Sequence, residues 1–275
     1  MADIRAVYRR PLSALDNLGS ELVFYLRALA WTPKAIVRYK KEILRLLSEV
    51  TLGSGALAVI GGTVGVITAL AFFTGTEVGL QGYAALNQIG TALFSGFVSA
   101  YFNTREISPL VAGIALAATV GCGFTAQLGA MRISEEIDAL EVMAIPSLPF
   151  LVTTRIIAGL VAIIPLYVVG LLSSYFATRL VVTTFFGQST GTYDHYFTLF
   201  LPPGDVLWSF GKVLIFAVVV ILIHCYHGYH ASGGPAGVGV AVGRAVRTSI
   251  VAINVIDLFL SMAIWGTTTT VRLAG

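Results

Sequence analysis

The chain has 275 residues, of which 56% are hydrophobic and only 11% are charged, and its mean hydropathy is +0.86. Soluble domains carry about 25% charged residues, so this composition excludes an ordinary soluble domain and indicates an integral membrane protein. The formal net charge is +3, and nine of the seventeen Lys and Arg residues precede residue 50. Because the apolar runs lack the alternation of barrel strands, we predict an all-α membrane protein.

The first 50 residues are basic and amphipathic. Basic amphipathic helices lie in the headgroup plane of a membrane, and clustered positive charge retains a chain end in the cytoplasm. We therefore predict an interfacial N-terminal segment over residues 1–50, and a soluble helical tail is the alternative. The apolar face is formed by Leu22, Tyr25, Leu26, Leu29 and Ala30.

Residues 51–275 form the predicted membrane domain. A helix needs about 20 mostly apolar residues to cross the hydrocarbon, and five runs meet this length. Glu77 and Gln81 are predicted to mark the exit of the first span, and Pro165 to kink the third. The five predicted spans cover residues 51–75, 108–130, 147–180, 205–227 and 248–271.

Residues 85–104 are only moderately apolar and allow two topologies. If they cross fully, the acidic stretch that follows residue 130 lies outside. If they only dip into the outer leaflet, that stretch lies inside. We favour the second topology, because this run is the weaker one and Pro109 is expected to break or start a helix. The N-terminus is then cytoplasmic, residues 181–204 form an outer loop, and residues 228–247 form a glycine-rich inner connection.

An acidic stretch lies between the second and third spans, from Met131 to Pro149. Its charges require water or a partner, because they would be unsolvated in hydrocarbon. Ser134 is predicted to cap a short helix over residues 132–143, and prolines end it. The pattern fits either a docking helix or a solvated interfacial loop. Its predicted apolar side carries Ile133, Ile137, Leu140 and either Val142 or Met143, and its acids are Glu135, Glu136, Asp138 and Glu141.

Ionisable residues inside apolar runs are the main functional candidates, because each must be paired or face water. Lys212 and Asp257 lie in successive antiparallel spans, so we expect them to reach each other. Their contact is either a structural ion pair or a coupling pair in a transport path. Arg105 and Glu106 form a second candidate pair, or Arg105 holds an anionic headgroup.

Metal and nucleotide sites are disfavoured. His224, His227 and His230 recur every three residues, but Gly228 lies among them and the segment is at an interface, so we predict no metal. The chain lacks the glycine-rich phosphate loop that ends in Gly-Lys-Ser/Thr, so it cannot bind nucleotide in that way. The two cysteines, Cys122 and Cys225, suggest no disulfide framework.

Several ordered motifs over residues 50–270 resemble the MlaE/YrbE permease family. The clearest is the run RISEEIDALEVMAIPSLPFLVTTRIIAG, which is similar to the cytoplasmic signature of that family. The likeness extends to the actinobacterial YrbE branch, which works with Mce proteins. The other matching positions are Gly75, Gly79 to Tyr83, Arg105 to Pro109, Gly129 to Met131, Lys212, Phe216, Gly233, Gly234, Gly237 to Gly239 and Asp257.

The resemblance implies an ABC-type lipid transporter permease in the bacterial inner membrane, without catalysis of its own. Its implied partners are a cytosolic ATPase dimer that binds ATP and magnesium, a second permease chain, MCE-domain proteins outside and a lipid, but no nucleic acid or cofactor of its own. The implied ATPase contact is Glu135, Glu136, Ile137, Asp138, Ala139 and Leu140. The implied lipid path and its polar support are Leu80, Tyr83, Arg105, Glu106, Lys212 and Asp257.

This sequence departs from the family pattern at four positions. Many members have Gln at the position of Glu136, Arg at that of Thr119 and Glu at that of Gln127, and Glu77 replaces a usually apolar residue. These departures favour a heterodimer with a paralogous permease over a symmetric homodimer. The lipid stays open among fatty acids, phospholipids and sterols.

Two other functions compete with the lipid permease. A secondary transporter would use Lys212 and Asp257 as a proton relay and would need no ATPase. A structural anchor for an envelope complex would tolerate the loss of both side chains.

Overall fold

The computed structural model describes residues 19–52 and 62–266 as a bundle of helices, without strands in those two ranges. Five helices are long and apolar enough to cross a membrane, which confirms the predicted all-α fold with five spans. In chain order the helices are α1 (residues 19–30), α2 (Thr32–Arg38), α3 (Lys40–Leu52), α4 (Thr63–Gln88), α5 (Ala92–Ile133), α6 (Glu136–Val142), α7 (Leu148–Phe185), α8 (Thr190–Leu199), α9 (Pro203–Tyr229) and α10 (Gly234–Trp265).

The first span lies further along the chain than residues 51–75. Residues 53–61 lie outside the described part, and α4 continues from Thr63 to Gln88. Glu77 and Gln81 were expected at its exit but are in its interior, one turn apart, where the Gln81 amide donates a hydrogen bond to the Glu77 carboxylate. A polar pair that bonds within one helix does not interrupt it, and α4 continues until Gly90 turns the chain with φ of 72°.

The second span is one helical element of 42 residues, α5, rather than a shallow dip followed by a crossing. Two π-helical segments lie within it, Ser99–Ile107 and Ala117–Gly121. Pro109 lies within this continuous helix and does not break it. Pro109 has no N–H to bond the Arg105 carbonyl four residues earlier, and that carbonyl accepts a 2.7 Å hydrogen bond from the Lys212 ammonium. At 1.5 Å per residue α5 is roughly 60 Å long.

Two segments expected to be loops are helical. Residues 181–204 include the end of α7 and all of α8. The glycine-rich stretch 228–247 starts α10, so only residues 230–233 connect α9 to α10. Gly233 supplies the left-handed turn at φ 90°, and Pro235 lies in the first turn of the helix. The stretch was mistaken for a loop because glycine is a poor helix former in isolation, whereas here the long apolar continuation stabilises the helix.

Close packing of α4 on α7 requires glycine. A Cβ atom on Gly75 would lie 2.4 Å from the Ser174 carbonyl oxygen, so any larger residue would separate the two backbones. The Thr178 hydroxyl donates a 2.7 Å hydrogen bond to the Gly75 carbonyl at the same contact. Pro165 lies within α7, which continues from Leu148 to Phe185 on both sides of it.

The N-terminal helices pack across the bundle at the end that also carries α6. Ala28 is fully buried, and the Thr153 hydroxyl donates a 2.9 Å hydrogen bond to its carbonyl. Tyr25 packs inward against the Tyr226 ring, whereas Leu22 and Leu26 point outward with exposures of 59% and 66%. The predicted apolar face is therefore divided between the bundle and the outside, and residues 1–18 of the predicted segment lie outside the described range.

Candidate functional site: a buried charge cluster, an apolar groove and an acidic helix

Lys212 on α9 is fully buried inside the bundle. Its Nζ donates hydrogen bonds to the Arg105 carbonyl at 2.7 Å and to the Ser261 hydroxyl at 2.8 Å. The Asp257 Oδ1 atom on α10 lies 2.6 Å from the same nitrogen, as an ion pair. The predicted contact between Lys212 and Asp257 is therefore present, and it joins α9 to α10.

Arg105 and Glu106 do not pair with each other, contrary to one prediction. Adjacent residues on a helix point about 100° apart, so they face different neighbours. Glu106 Oε2 lies 3.3 Å from Lys212 Nζ and accepts a hydrogen bond from Ser261 at 3.1 Å. Arg105 pairs with Asp205. The Arg105 Nε and Nη2 atoms lie 2.7 Å and 2.6 Å from the Asp205 Oδ2 atom.

Arg105 also contacts two aromatic rings. Its guanidinium lies 4.1 Å from the Tyr101 ring centroid and 5.2 Å from that of Trp265, and the Trp265 indole donates to Asp205 at 2.9 Å. The sequence had suggested that Arg105 holds an anionic headgroup. Its side chain is only 4% exposed, so it is not open to a headgroup in this conformation.

Three members of this cluster were missed from sequence: Asp205, Ser261 and Trp265. Asp205 follows Pro202 and Pro203 at the start of α9, where an acid is an ordinary first-turn residue. Ser261 and Trp265 are uncharged, and their spacing along α10 from Asp257, of four and eight residues, places all three on one helical face. That spacing from Asp257 is the feature of the sequence from which Ser261 and Trp265 could have been predicted.

The cluster contains one more acid than bases. Arg105 and Lys212 face Asp205, Asp257 and Glu106, and four of these five side chains are at most 12% exposed. Glu106 is the exception, with 34% of its side chain exposed. The accessible member of the cluster is therefore a carboxylate.

An apolar groove of about 650 Å³ lies between α4 and the first half of α5. Leu80 and Tyr83, which the resemblance implies near the lipid path, are adjacent to groove residues in sequence but do not line it. Tyr83 instead stacks on Phe186, with ring centroids 4.1 Å apart. The groove is lined by Thr74, Glu77, Val78, Gln81, Gly82, Ala85, Leu86, Phe97, Val98, Phe102 and Ile107.

The acidic helix α6 is shorter than predicted and is not capped by Ser134. Glu135 precedes it in the left-handed conformation at φ 61°. Ser134 follows the end of α5, and its hydroxyl donates to the Ala130 carbonyl at 3.0 Å and to Glu136 at 2.9 Å. The sharp turn between α5 and α6 thus takes the place of a single helix over residues 132–143.

α6 is held to the bundle by Ile137 and Leu140, and by Glu141, which accepts hydrogen bonds from the Ser147 and Tyr229 hydroxyls at 2.6 and 3.5 Å. Ile137 is fully buried, whereas Val142 and Met143 are 88% and 61% exposed, so the predicted apolar side is mostly open. Glu135, Glu136, Asp138 and Ala139 are exposed and Leu140 is half-buried. Asp138 pairs with Arg132 at 2.7 Å. The result is a protruding surface that combines carboxylates with exposed apolar side chains.

The three histidines do not converge. His224 is buried, and its Nδ1 lies 2.8 Å from the Thr125 hydroxyl, whereas His230 packs on the ring of Tyr226. Within residues 19–52 and 62–266 no group of three His, Cys, Asp or Glu side chains is placed to hold a metal ion.

The five long helices and the buried ion pairs define a multi-pass helical membrane protein. The sequence matches the family model of the permease MlaE over residues 53–263, so the chain belongs to the MlaE permease family. Among similar proteins is a probable ABC transporter permease of Rickettsia bellii, 26% identical over 256 residues, which cover 93% of this chain and 95% of the relative.

Two further relatives carry names that bear on lipids. The intermembrane phospholipid transport system permease MlaE of Haemophilus influenzae is 27% identical over 195 residues, 70% of this chain and 75% of its own length. The TRIGALACTOSYLDIACYLGLYCEROL 1 protein of Arabidopsis thaliana chloroplasts is 30% identical over 203 residues, 72% of this chain and 57% of its own length.

Proposed function

We propose that this chain is the permease subunit of an ABC-type lipid transporter in the bacterial inner membrane and that a separate cytosolic ATPase drives it. The observation that carries the proposal is the family match over residues 53–263, which includes the groove, the charge cluster and α6. The chain itself performs no catalysis in this proposal, and ATP and magnesium are bound by the ATPase.

The acidic helix is the proposed ATPase contact. Its carboxylates at Glu135, Glu136 and Asp138 and its apolar residues Val142 and Met143 are exposed together at one end of the bundle. Such a surface offers a partner both complementary charge and apolar area to bury. In this proposal α6 and the N-terminus lie in the cytoplasm.

A second permease chain is the proposed partner within the membrane. α4 and α10 bury the smallest share of their apolar windows among the five spans, and their exposed residues include Phe73, Leu258 and Phe259. The departures at Glu77 and Gln127 favour a paralogous partner, as in the YrbE branch. MCE-domain proteins would receive or deliver the lipid at the opposite end of the bundle.

The proton-relay alternative receives no support from the geometry. Lys212 donates hydrogen bonds to the Arg105 carbonyl, Ser261 and Glu106, and it also pairs with Asp257. A fully coordinated ammonium group is typical of a structural ion pair. The proposed role of the cluster is therefore to hold α5, α9 and α10 in register beside the lipid path.

The docking role of α6 can be tested by reversing its charge. We expect Glu135→Lys combined with Asp138→Lys to abolish co-purification of the ATPase while membrane insertion is retained, because both side chains are exposed and Ile137 still anchors the helix. The matched control is Asp194→Lys, which reverses an exposed acid on α8, at the other end of the bundle. Unchanged ATPase recovery in the double variant would remove the docking role.

A further inference from the structure

Glu77 is an unusual residue for the place it occupies. It lies near the middle of α4, a candidate span of 26 residues, and its side chain is exposed on the surface of the bundle. A carboxylate at that depth is costly unless it is paired or faces a polar environment. A polar group of a ligand or of a partner chain would satisfy this carboxylate in the membrane.

The chain itself supplies little to balance this carboxylate. The Gln81 amide donates one hydrogen bond to Glu77, and none of the ion pairs within residues 19–52 and 62–266 includes Glu77. The neighbouring Thr74 hydroxyl donates to the Leu70 carbonyl at 2.9 Å. Among the described residues, the hydrogen bond from Gln81 is the one recorded for the Glu77 carboxylate, and it engages one of its two oxygens.

The apolar groove between α4 and α5 is lined in part by Glu77. Its volume of about 650 Å³ falls within the ~300–1,000 Å³ of ordinary ligand sites. The lining residues other than Thr74, Glu77 and Gln81 are apolar, and Gly82 packs closely on Val98, since a Cβ on Gly82 would lie 2.6 Å from a Val98 methyl. The groove therefore offers an apolar surface for a hydrocarbon chain and one acidic acceptor.

We infer that the groove binds a lipid whose headgroup donates hydrogen bonds, through an ammonium or a hydroxyl group, and that Glu77 is the acceptor that selects it. This inference rests on the proposed lipid transport and narrows the lipid class. A lipid with an ionised carboxylate as its only headgroup would place like charges together, which is strongly unfavourable in a site of low dielectric.

The charge cluster supports the same selectivity. Ile107 lines the groove next to Glu106 in sequence, and Glu106 is the accessible member of a cluster with more acids than bases. Both basic members, Arg105 and Lys212, are buried and paired. Neither basic residue of the cluster is thus open to an anionic headgroup.

The test uses the complex purified with its partner chains in lipid nanodiscs. Three photoreactive lipid analogues share one acyl chain and differ only in the headgroup: an ethanolamine ammonium, a glycerol hydroxyl or a free carboxylate. Cross-linking to groove peptides is measured by mass spectrometry. We expect the wild type to label with the ammonium analogue about tenfold more than with the carboxylate analogue, given the size of like-charge penalties.

The variant Glu77→Gln keeps the side-chain shape and removes the charge. We expect it to reduce that preference to within about twofold, because a neutral amide no longer repels the carboxylate analogue. Asp194→Asn is the matched control, since it removes an acid from α8 outside the groove, and it should keep the wild-type preference.

Three outcomes overturn the inference. Equal labelling by all analogues in the wild-type groove removes the headgroup selectivity but leaves lipid transport standing. Loss of the second permease chain from the Glu77→Gln complex assigns Glu77 to a partner cation instead. An absence of any groove labelling by the three analogues in the wild type removes both the selectivity and the proposed lipid path.

Discussion

The charged residues of the buried cluster and those of α6 have similar chemistry and opposite surroundings. Lys212 and Arg105 are 0% and 4% exposed and are each bonded to named partners on other helices. Asp138 is 59% exposed and pairs with Arg132, six residues earlier. Buried charges here connect distant parts of the chain, whereas exposed ones leave the fold almost unaffected and remain available to a partner.

The largest expected effect comes from the buried side of this comparison. Lys212→Ala leaves Asp257 and Glu106 without their counter-ion, and breaking a buried pair in this way costs about 3–5 kcal/mol. The free energy of unfolding, measured in mixed micelles by titration with a denaturing detergent, should fall by that amount.

A double variant sharpens the same measurement. Lys212→Met with Asp257→Leu removes the closer of the two ion pairs, and we expect it to recover part of the lost stability, because replacing a buried pair by apolar residues is often neutral whereas Glu106 still lacks its counter-ion. If Lys212→Ala alone is as stable as the wild type, the buried cluster does not connect the helices as described.

An intermediate effect is expected at the anchor of α6. Ile137 is fully buried, and Ile137→Ala should cost about 2–3 kcal/mol, the low end of the range for such truncations because a short helix can shift. Hydrogen exchange of the amides in α6 should quicken accordingly. Val142→Ala, at a position 88% exposed, is the matched control and should leave exchange unchanged. Equal protection in both variants would mean that Ile137 does not hold the helix.

The smallest effect is expected at an exposed ion pair. Asp194 accepts hydrogen bonds from two Arg179 nitrogens, each at 2.8 Å, and the two side chains are 48% and 44% exposed. Asp194→Asn should therefore cost about 0.2–1 kcal/mol at neutral pH.

The pH dependence of that loss has a defined sign. The hydrogen bonds from Arg179 lower the pKa of Asp194 from its ordinary value of 3.8. Because the folded pKa is the lower one, the stabilisation is complete above 3.8 and disappears as the pH falls through the lowered value. Thermal melts of the wild type and Asp194→Asn should differ at neutral pH and converge in acid. A difference that persists in strong acid would exclude the ion pair as its cause.

Much of this architecture could be predicted from the sequence, because apolar length alone identifies five spans and an ionisable residue inside an apolar run must find a partner. Lys212 and Asp257 were found in this way. Asp205 was missed because an acid in the first turn of a helix needs no special partner. The start of α10 was missed because glycine is a poor helix former, and that local preference does not take into account the long apolar helix that continues from it.

The acidic helix shows a different limit of sequence reasoning. Hydrophobic periodicity predicted one helix over residues 132–143, whereas Glu135 takes a left-handed conformation and separates α5 from α6. A single residue of unusual backbone geometry leaves no trace in periodicity. The turn rotates Val142 and Met143 away from the bundle, which is why they are exposed.

α5 has a mechanical consequence. It runs without a loop from Ala92 to Ile133. Arg105 and Glu106 therefore lie on the same continuous helix that ends at the two-residue turn into α6. A displacement of that turn is therefore transmitted along the helix to the ion pairs. Within α5, the two π-helical segments are the places where the helix can bend. The distance between the ends of the bundle is thereby spanned by one secondary-structure element, and the two ends cannot shift independently unless that element bends or twists.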